Sequence, residues 1–132
     1  MEVAPADEDN AQWGAYSQNV TGTNTEIGYG RRNTKIIVNF LGTNESNRAA
    51  QLCNTKSNGG TYGWFLPSQD ELSELCKIKR QYGIPSLVGA AYWSSSQNST
   101  STIYAWTQDF SDGTQYHLSK YNTLRVRAVR AF

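Results

Sequence analysis

The side chains best able to do chemistry in this chain are few, and their spacing does not bring them together. The single histidine, His117, has no His, Cys or carboxylate at metal-ligand spacing, so it reads as a surface residue and no metal is implied. Cys53 and Cys76 make neither a zinc site nor a disulfide scaffold by count. Both fall at apolar positions of predicted helices, where a thiol acts as a small hydrophobe, although a bridge stays open should the two helices lie side by side. Ser68 and Glu71 have the spacing of a capping box, so folding accounts for both. Gly28-x-Gly30 ahead of a helix could aim N–H groups at phosphate. The third glycine of a dinucleotide fingerprint is Asn33 here, no valine-rich strand precedes it, and a structural turn is the better reading. In a strand, Arg125 and Arg127 share one face and Arg130 takes the other, which implies a bulge or twist near Ala128 and Val129. Structural arginines, partly buried and paired with carboxylates or carbonyls, are expected there. No cofactor and no catalytic constellation follow.

The remaining candidates are residues of contact, concentrated from Ala91 to Phe132. There the apolar anchors Trp93, Trp106, Phe110 and Phe132 alternate with small polar residues of no regular period. Asp112-Gly113 separates two alternating segments, Tyr104 to Phe110 and Thr114 to Ser119, and predicts a β-hairpin. Three helices precede it. Ile36, Ile37, Phe40 and Leu41 predict the first, capped by Asn33 or Thr34 and closed by Gly42. The second runs from about Asn47 to Lys56 with Ala49, Leu52 and Cys53 on one face, and the third follows Ser68 with Leu72, Leu75 and Cys76 buried. Ala11 to Val20 reads as a weak strand.

The chain has 132 residues, enough for one domain with a real core. Its eight tyrosines and four tryptophans need either a core or a binding surface, because Tyr offers contact area at low entropy cost. A net charge of +1 is too weak a field for nucleic acid. No apolar run reaches the length of a membrane span, so direct membrane insertion is not expected. Residues 1–10 are acidic, lack the apolar core of a signal peptide, and read as a flexible leader to a single domain over 11–132.

An ordered set of motifs then carries a family resemblance: Ile27-Gly-Tyr-Gly-(x)2-Asn-Thr, Gly63-Trp-Phe-Leu-Pro-Ser-(x)2-Glu-Leu, Tyr92-Trp-Ser-Ser-Ser, Ala105-Trp-x-Gln-x-Phe-(x)2-Gly-x-Gln, Lys120 and the terminal Arg-Val-Arg-Ala-Val-Arg-Ala-Phe. From Glu26 to Phe132 the chain resembles bacterial C-type-lectin-fold domains related to formylglycine-generating enzymes, the Lcl C-terminal-like domains among them. Its last third resembles the variable region of proteins diversified by diversity-generating retroelements. The resemblance implies an α+β, C-type-lectin-like fold with short helices on a small twisted antiparallel sheet. It also implies randomised template adenines, which turn Asn codons into any codon ending in the same pyrimidine. Such codons cannot encode Gln, Glu, Lys, Met or Trp. Between Ser99 and Leu124 only Trp106, Gln108, Gln115 and Lys120 belong to that excluded set, and all four occupy fixed positions of the pattern.

On this reading the diversified side chains project outward from a fixed frame and form the ligand-binding face. They are Thr102, Ile103, Tyr104, Thr107, Asp109, Ser111, Thr114, Tyr116, His117, Leu118, Ser119, Tyr121, Asn122, Thr123 and Leu124. Tyr116 and Tyr121 are the expected hot spots. The implied partner is a protein or cell-surface ligand, and the implied place is the cell surface, the secreted fraction or a phage particle. Two rivals stand beside it. A formylglycine-generating-type enzyme would use active-site cysteines, and none follows Cys76. A glycan-binding adhesin domain without diversification is the other, and the tripeptides of calcium-dependent animal lectins are absent.

Overall fold

In the computed structural model, which describes residues 1–131, the third helix follows its sequence signal most closely. Helix α3 (Gln69–Tyr82) begins after Ser68, whose Oγ accepts from Glu71 N while Ser68 N donates 2.8 Å to Glu71 Oε1. Leu72, Leu75 and Cys76 are its buried stripe. Helix α2 (Ala49–Asn54) is shorter than predicted, and Arg48 N donates to Gln51 Oε1 at its start.

Helix α1 (Gly30–Leu41) starts earlier than the sequence predicts, and neither Asn33 nor Thr34 caps it. Its first turn is met by a distant carboxylate: Glu71 Oε2 accepts from Gly28 N at 2.8 Å and Gly30 N at 3.4 Å. That internal anion occupies the Gly28-x-Gly30 turn. The turn is structural, and Gly30 is required because a Cβ there would stand 2.1 Å from Glu71 Oε1. Asn33 and Thr34 lie inside the helix and face the core. Asn33 ties Asn24 and Ser95, and Thr34 Oγ1 donates to Gly30 O and accepts from Leu66 N. The buried stripe is therefore Asn33, Thr34, Ile37 and Leu41, while Phe40 is exposed.

Strands β2 (Ala91–Gln97), β3 (Tyr104–Asp109) and β4 (Gln115–Ser119) form one antiparallel sheet in that order. The predicted hairpin is β3–β4, with Trp106 opposite His117 and Gly113 at φ +80° in its turn. Alternation sends Trp93, Ala105 and Leu118 to one face, against Trp13, Ile37, Leu41 and Val126. Tyr92 faces the other way, into a second cluster with Leu72, Leu75, Leu87 and Phe110. The two cysteines sit in different clusters and both are free thiols, so no bridge joins them. The sheet is irregular between Trp93 and Gln97, and the slack is filled by three buried serines. Ser94 Oγ donates to Trp106 O, Ser95 N to Pro67 O and Ser96 Oγ to Asn24 O. The chain thus has the α+β architecture expected from its sequence.

Two stretches differ from expectation. Residues 1–10 are part of the fold rather than a flexible leader: strand β1 (Glu2–Val3) pairs with β5 (Val129–Arg130), and Ala4 is buried. Asp7 accepts from Tyr92 Oη, Arg125 Nη1 and Arg127 Nε. Arg127 is 1% exposed and uses its remaining donors on Ala4 O, Ser86 Oγ and Ser86 O. The terminal segment is interrupted before β5, and its arginines are structural, with Arg130 paired to Glu2 and stacked over Trp64. The predicted strand over Ala11 to Val20 is instead a loop with one bridge, Ala11 to Leu124. Gly14, Ala15 and Ser17 have positive φ, which no strand accommodates. Of the four expected anchors, Trp93 and Phe110 are buried, Trp106 is only half-buried, and Phe132 lies outside the described residues.

Candidate ligand-binding face

The face is built on Lys120, a fully buried cation at the end of the hairpin. Its ammonium donates to Gln97 Oε1 at 2.8 Å, Gln18 O at 3.0 Å and Ala15 O at 3.3 Å, and stands 4.8 Å from the Trp13 ring centroid. Burial lowers its pKa to about 8, against a smaller opposing pull from Glu45. The physical result is a clamp: one side chain after β4 gathers the carbonyls of the strained 14–18 loop. That clamp places Tyr16 against Tyr121, edge to face at 4.7 Å, with both rings exposed. Asn122 and Thr123 continue this exposed patch.

A second aromatic group lies on the sheet. Tyr104, Trp106 and His117 share a face through the β3–β4 register, and the His117 ring is 5.3 Å from Trp106 and 5.1 Å from Tyr104. Toward the other end of that face the sheet is covered, since Gln108 is buried and Gln115 bonds Gln69 of α3. Beside Trp106 opens a cavity of about 310 Å³, walled by the 23–26 loop, Gln97 and Ser99.

The predicted residues divide into those that face outward and those that serve the fold. Tyr104, Tyr116, His117, Tyr121, Asn122 and Thr123 are exposed. Thr102 and Ile103 are half-buried in the connection before β3. Ser111 and Thr114 are exposed turn residues: Asp109 Oδ1 accepts from Ser111 N, and Asp112 Oδ1 from Thr114 N. Asp109 therefore organises the turn. Ser119 Oγ accepts from Tyr121 N and shapes the next bend. Thr107 does not point outward, being 1% exposed with Oγ1 donating to Tyr116 O, because its register opposite Trp93 turns it to the first core. Leu118 and Leu124 pack partly buried against that same core.

Sequence reasoning missed Tyr16 and placed Trp106 in the wrong role. A tyrosine flanked by Gly14, Ala15 and Ser17 is the composition of a displayed loop, and that signal was available. Burial pushes the pKa of both Cys53 and Cys76 up, which favours the neutral thiol over the thiolate. Among the described residues no three His, Cys, Asp or Glu side chains converge to hold a metal. No described helix is long and apolar enough to cross a membrane.

No curated protein matches the chain. The Lcl C-terminal domain model matches residues 7–130. That span begins at the carboxylate that holds Arg127 and ends in β5, so it takes in all of both cores but Val3 and Ala4, together with the Lys120 clamp and the hairpin. The chain belongs to the Lcl C-terminal domain family.

Proposed function

We propose that this domain is a ligand-binding protein of receptor or adhesin type, whose hairpin face is hypervariable through a retroelement and performs no bond-making chemistry. The observation that carries the reading is the fate of the four residues that adenine-randomised Asn codons cannot encode. Gln108 and Lys120 are buried, Gln115 is tied to Gln69, and Trp106 is packed against His117. The exposed positions around them, Tyr104, Tyr116, His117, Tyr121, Asn122 and Thr123, are all of types such codons reach. Frame and display are separated as a protein that must change its surface without unfolding requires. The ligand is a protein or other cell-surface molecule, met at the cell surface, in the secreted fraction or on a phage particle.

The test is the gene and its neighbourhood. A nearby template copy should differ from the coding copy only at template adenines, in the codons of the outward set. Absence of such a copy, with purine-ended codons at these positions, removes the diversification reading.

A further inference from the structure

We propose that the cavity between Trp106 and the 23–26 loop is a constant subsite for a cationic side chain, a guanidinium or ammonium presented by a protein ligand. This rests on reading the hairpin as a binding face and names one chemical feature of what it binds.

Several polar groups of the cavity walls are already engaged. Thr23 Oγ1 accepts from Gln97 N. Gln97 Oε1 accepts from Val20 N and Lys120 Nζ, and its Nε2 donates to Asn19 Oδ1. Asn24 Oδ1 accepts from Glu26 N. These groups are occupied by the fold, and Lys120, behind Gln97, is occupied with them. Glu26 is the single charged residue of the cavity wall, and it has no ion pair among the described residues. Beside it stands the Trp106 ring. Tryptophan is the aromatic side chain that attracts a cation best, and a carboxylate adds a charge-assisted hydrogen bond to an N–H donor.

The backbone that carries each group is held in place before any guest arrives. The Glu26 carbonyl accepts from Ser68 Oγ at 2.9 Å, and the Thr25 carbonyl accepts from Asp70 N at 2.9 Å. The Asn24 carbonyl accepts from Asn33 Nδ2 and Ser96 Oγ. The strand that carries Trp106 is tied by Ser94 Oγ, which donates to the Trp106 carbonyl. A loop tied at three successive carbonyls loses little freedom on binding. Neither Glu26 nor Trp106 can arise from the randomised codons, so this anchor stays constant while the tyrosines around it change.

The experiment titrates the isotope-labelled full chain with Nα-acetyl-arginine amide, Nα-acetyl-lysine amide and the neutral isostere Nα-acetyl-citrulline amide, following backbone amides and tryptophan indoles by NMR. Trp13, Trp64 and Trp93 are buried, so the responsive indole should be Trp106, and its peak is identified by Trp106→Phe. The expected result is saturable shifts at Trp106 and Glu26 with one or both cations, and binding weakened by about tenfold or more with citrulline amide or in Glu26→Gln. The arginine and lysine arms decide which cation the subsite prefers. Equal shifts with citrulline amide, an undiminished response in a folded Glu26→Gln, or no saturable shift with either cation would each overturn the proposal. The template comparison does not involve this cavity, so either reading can fail alone.

Discussion

Replacing Lys120 by methionine removes the ammonium that joins the hairpin to the 14–18 loop while keeping much of the side chain's length. Gln97 Oε1 keeps Val20 N as a donor and Ala15 O keeps Gln18 N, but the Gln18 carbonyl loses its donor. The part-buried Gln18 carbonyl left without a donor costs about 1–3 kcal/mol, and the lost contact with Trp13 adds about 0.5–2 kcal/mol. Release of the ammonium from its buried site offsets part of this. A net loss of about 1–3 kcal/mol follows, or on the order of 5–10 °C in Tm for a domain of this size. The pH dependence supplies a sharper check. The folded pKa, about 8, lies below the ordinary lysine value of 10.5. Between those values the unfolded chain holds a proton that the folded chain has lost, so the Lys120 contribution to stability rises with pH across the window and is flat below it. Cys53 and Cys76 act in the opposite sense at alkaline pH, but equally in both proteins. Denaturant unfolding of wild type and Lys120→Met from pH 7 to 10.5 should show a gap that widens above pH 8. A gap that is flat or narrows would refute the clamp as described.

Other variants probe the frame. Asp7→Ala should cost about 3–5 kcal/mol by chemical denaturation, because it leaves Arg127 buried beside no carboxylate; a near-neutral effect would return residues 1–10 to the status of a leader. Trp93→Ala should cost about 3–5 kcal/mol, and Trp106→Ala roughly 1–2 kcal/mol. Equal costs would mean that Trp106 is core after all. Gly30→Ala should destabilise by about 1–3 kcal/mol, since its Cβ would meet Glu71 Oε1 at 2.1 Å and Phe65 Cε2 at 2.8 Å. A melt unchanged from wild type would show that Glu71 does not occupy the turn.

Signals confined to a few neighbouring residues were readable in the sequence, and those set by distant partners were not. The capping box of α3 and the Asp112-Gly113 hairpin involve residues three or four apart, and both appear where the sequence placed them. The start of α1 is fixed by Glu71, 41 and 43 residues away, so local capping rules pointed to Asn33 and Thr34. Asp7 belongs to an acidic run that reads as a leader, and only its contacts with Arg125 and Arg127, 118 and 120 residues on, reveal its place. The face divides the same way. Composition and family pattern placed Tyr116, His117 and Tyr121 outward, and they are exposed, but alternation cannot tell which face of a strand is covered over its whole length. Helix α3 covers the Gln108 end and leaves Trp106 half open, whereas Thr107, expected outside, faces the first core.

The central claim is that recognition and folding are carried by different residues, and two displayed libraries test it most directly. One randomises Tyr104, Tyr116, His117, Tyr121, Asn122 and Thr123 with pyrimidine-ended codons; the other applies the same codons to Trp93, Thr107, Phe110, Lys120, Val126 and Arg127. Protease resistance reads the folded fraction, because cleavage tracks the population of open forms. Exposed positions contribute little to stability and core positions contribute much. The first library should stay resistant in most members and yield binders to unrelated proteins, and the second should be largely digested. Comparable digestion of the two would contradict the account.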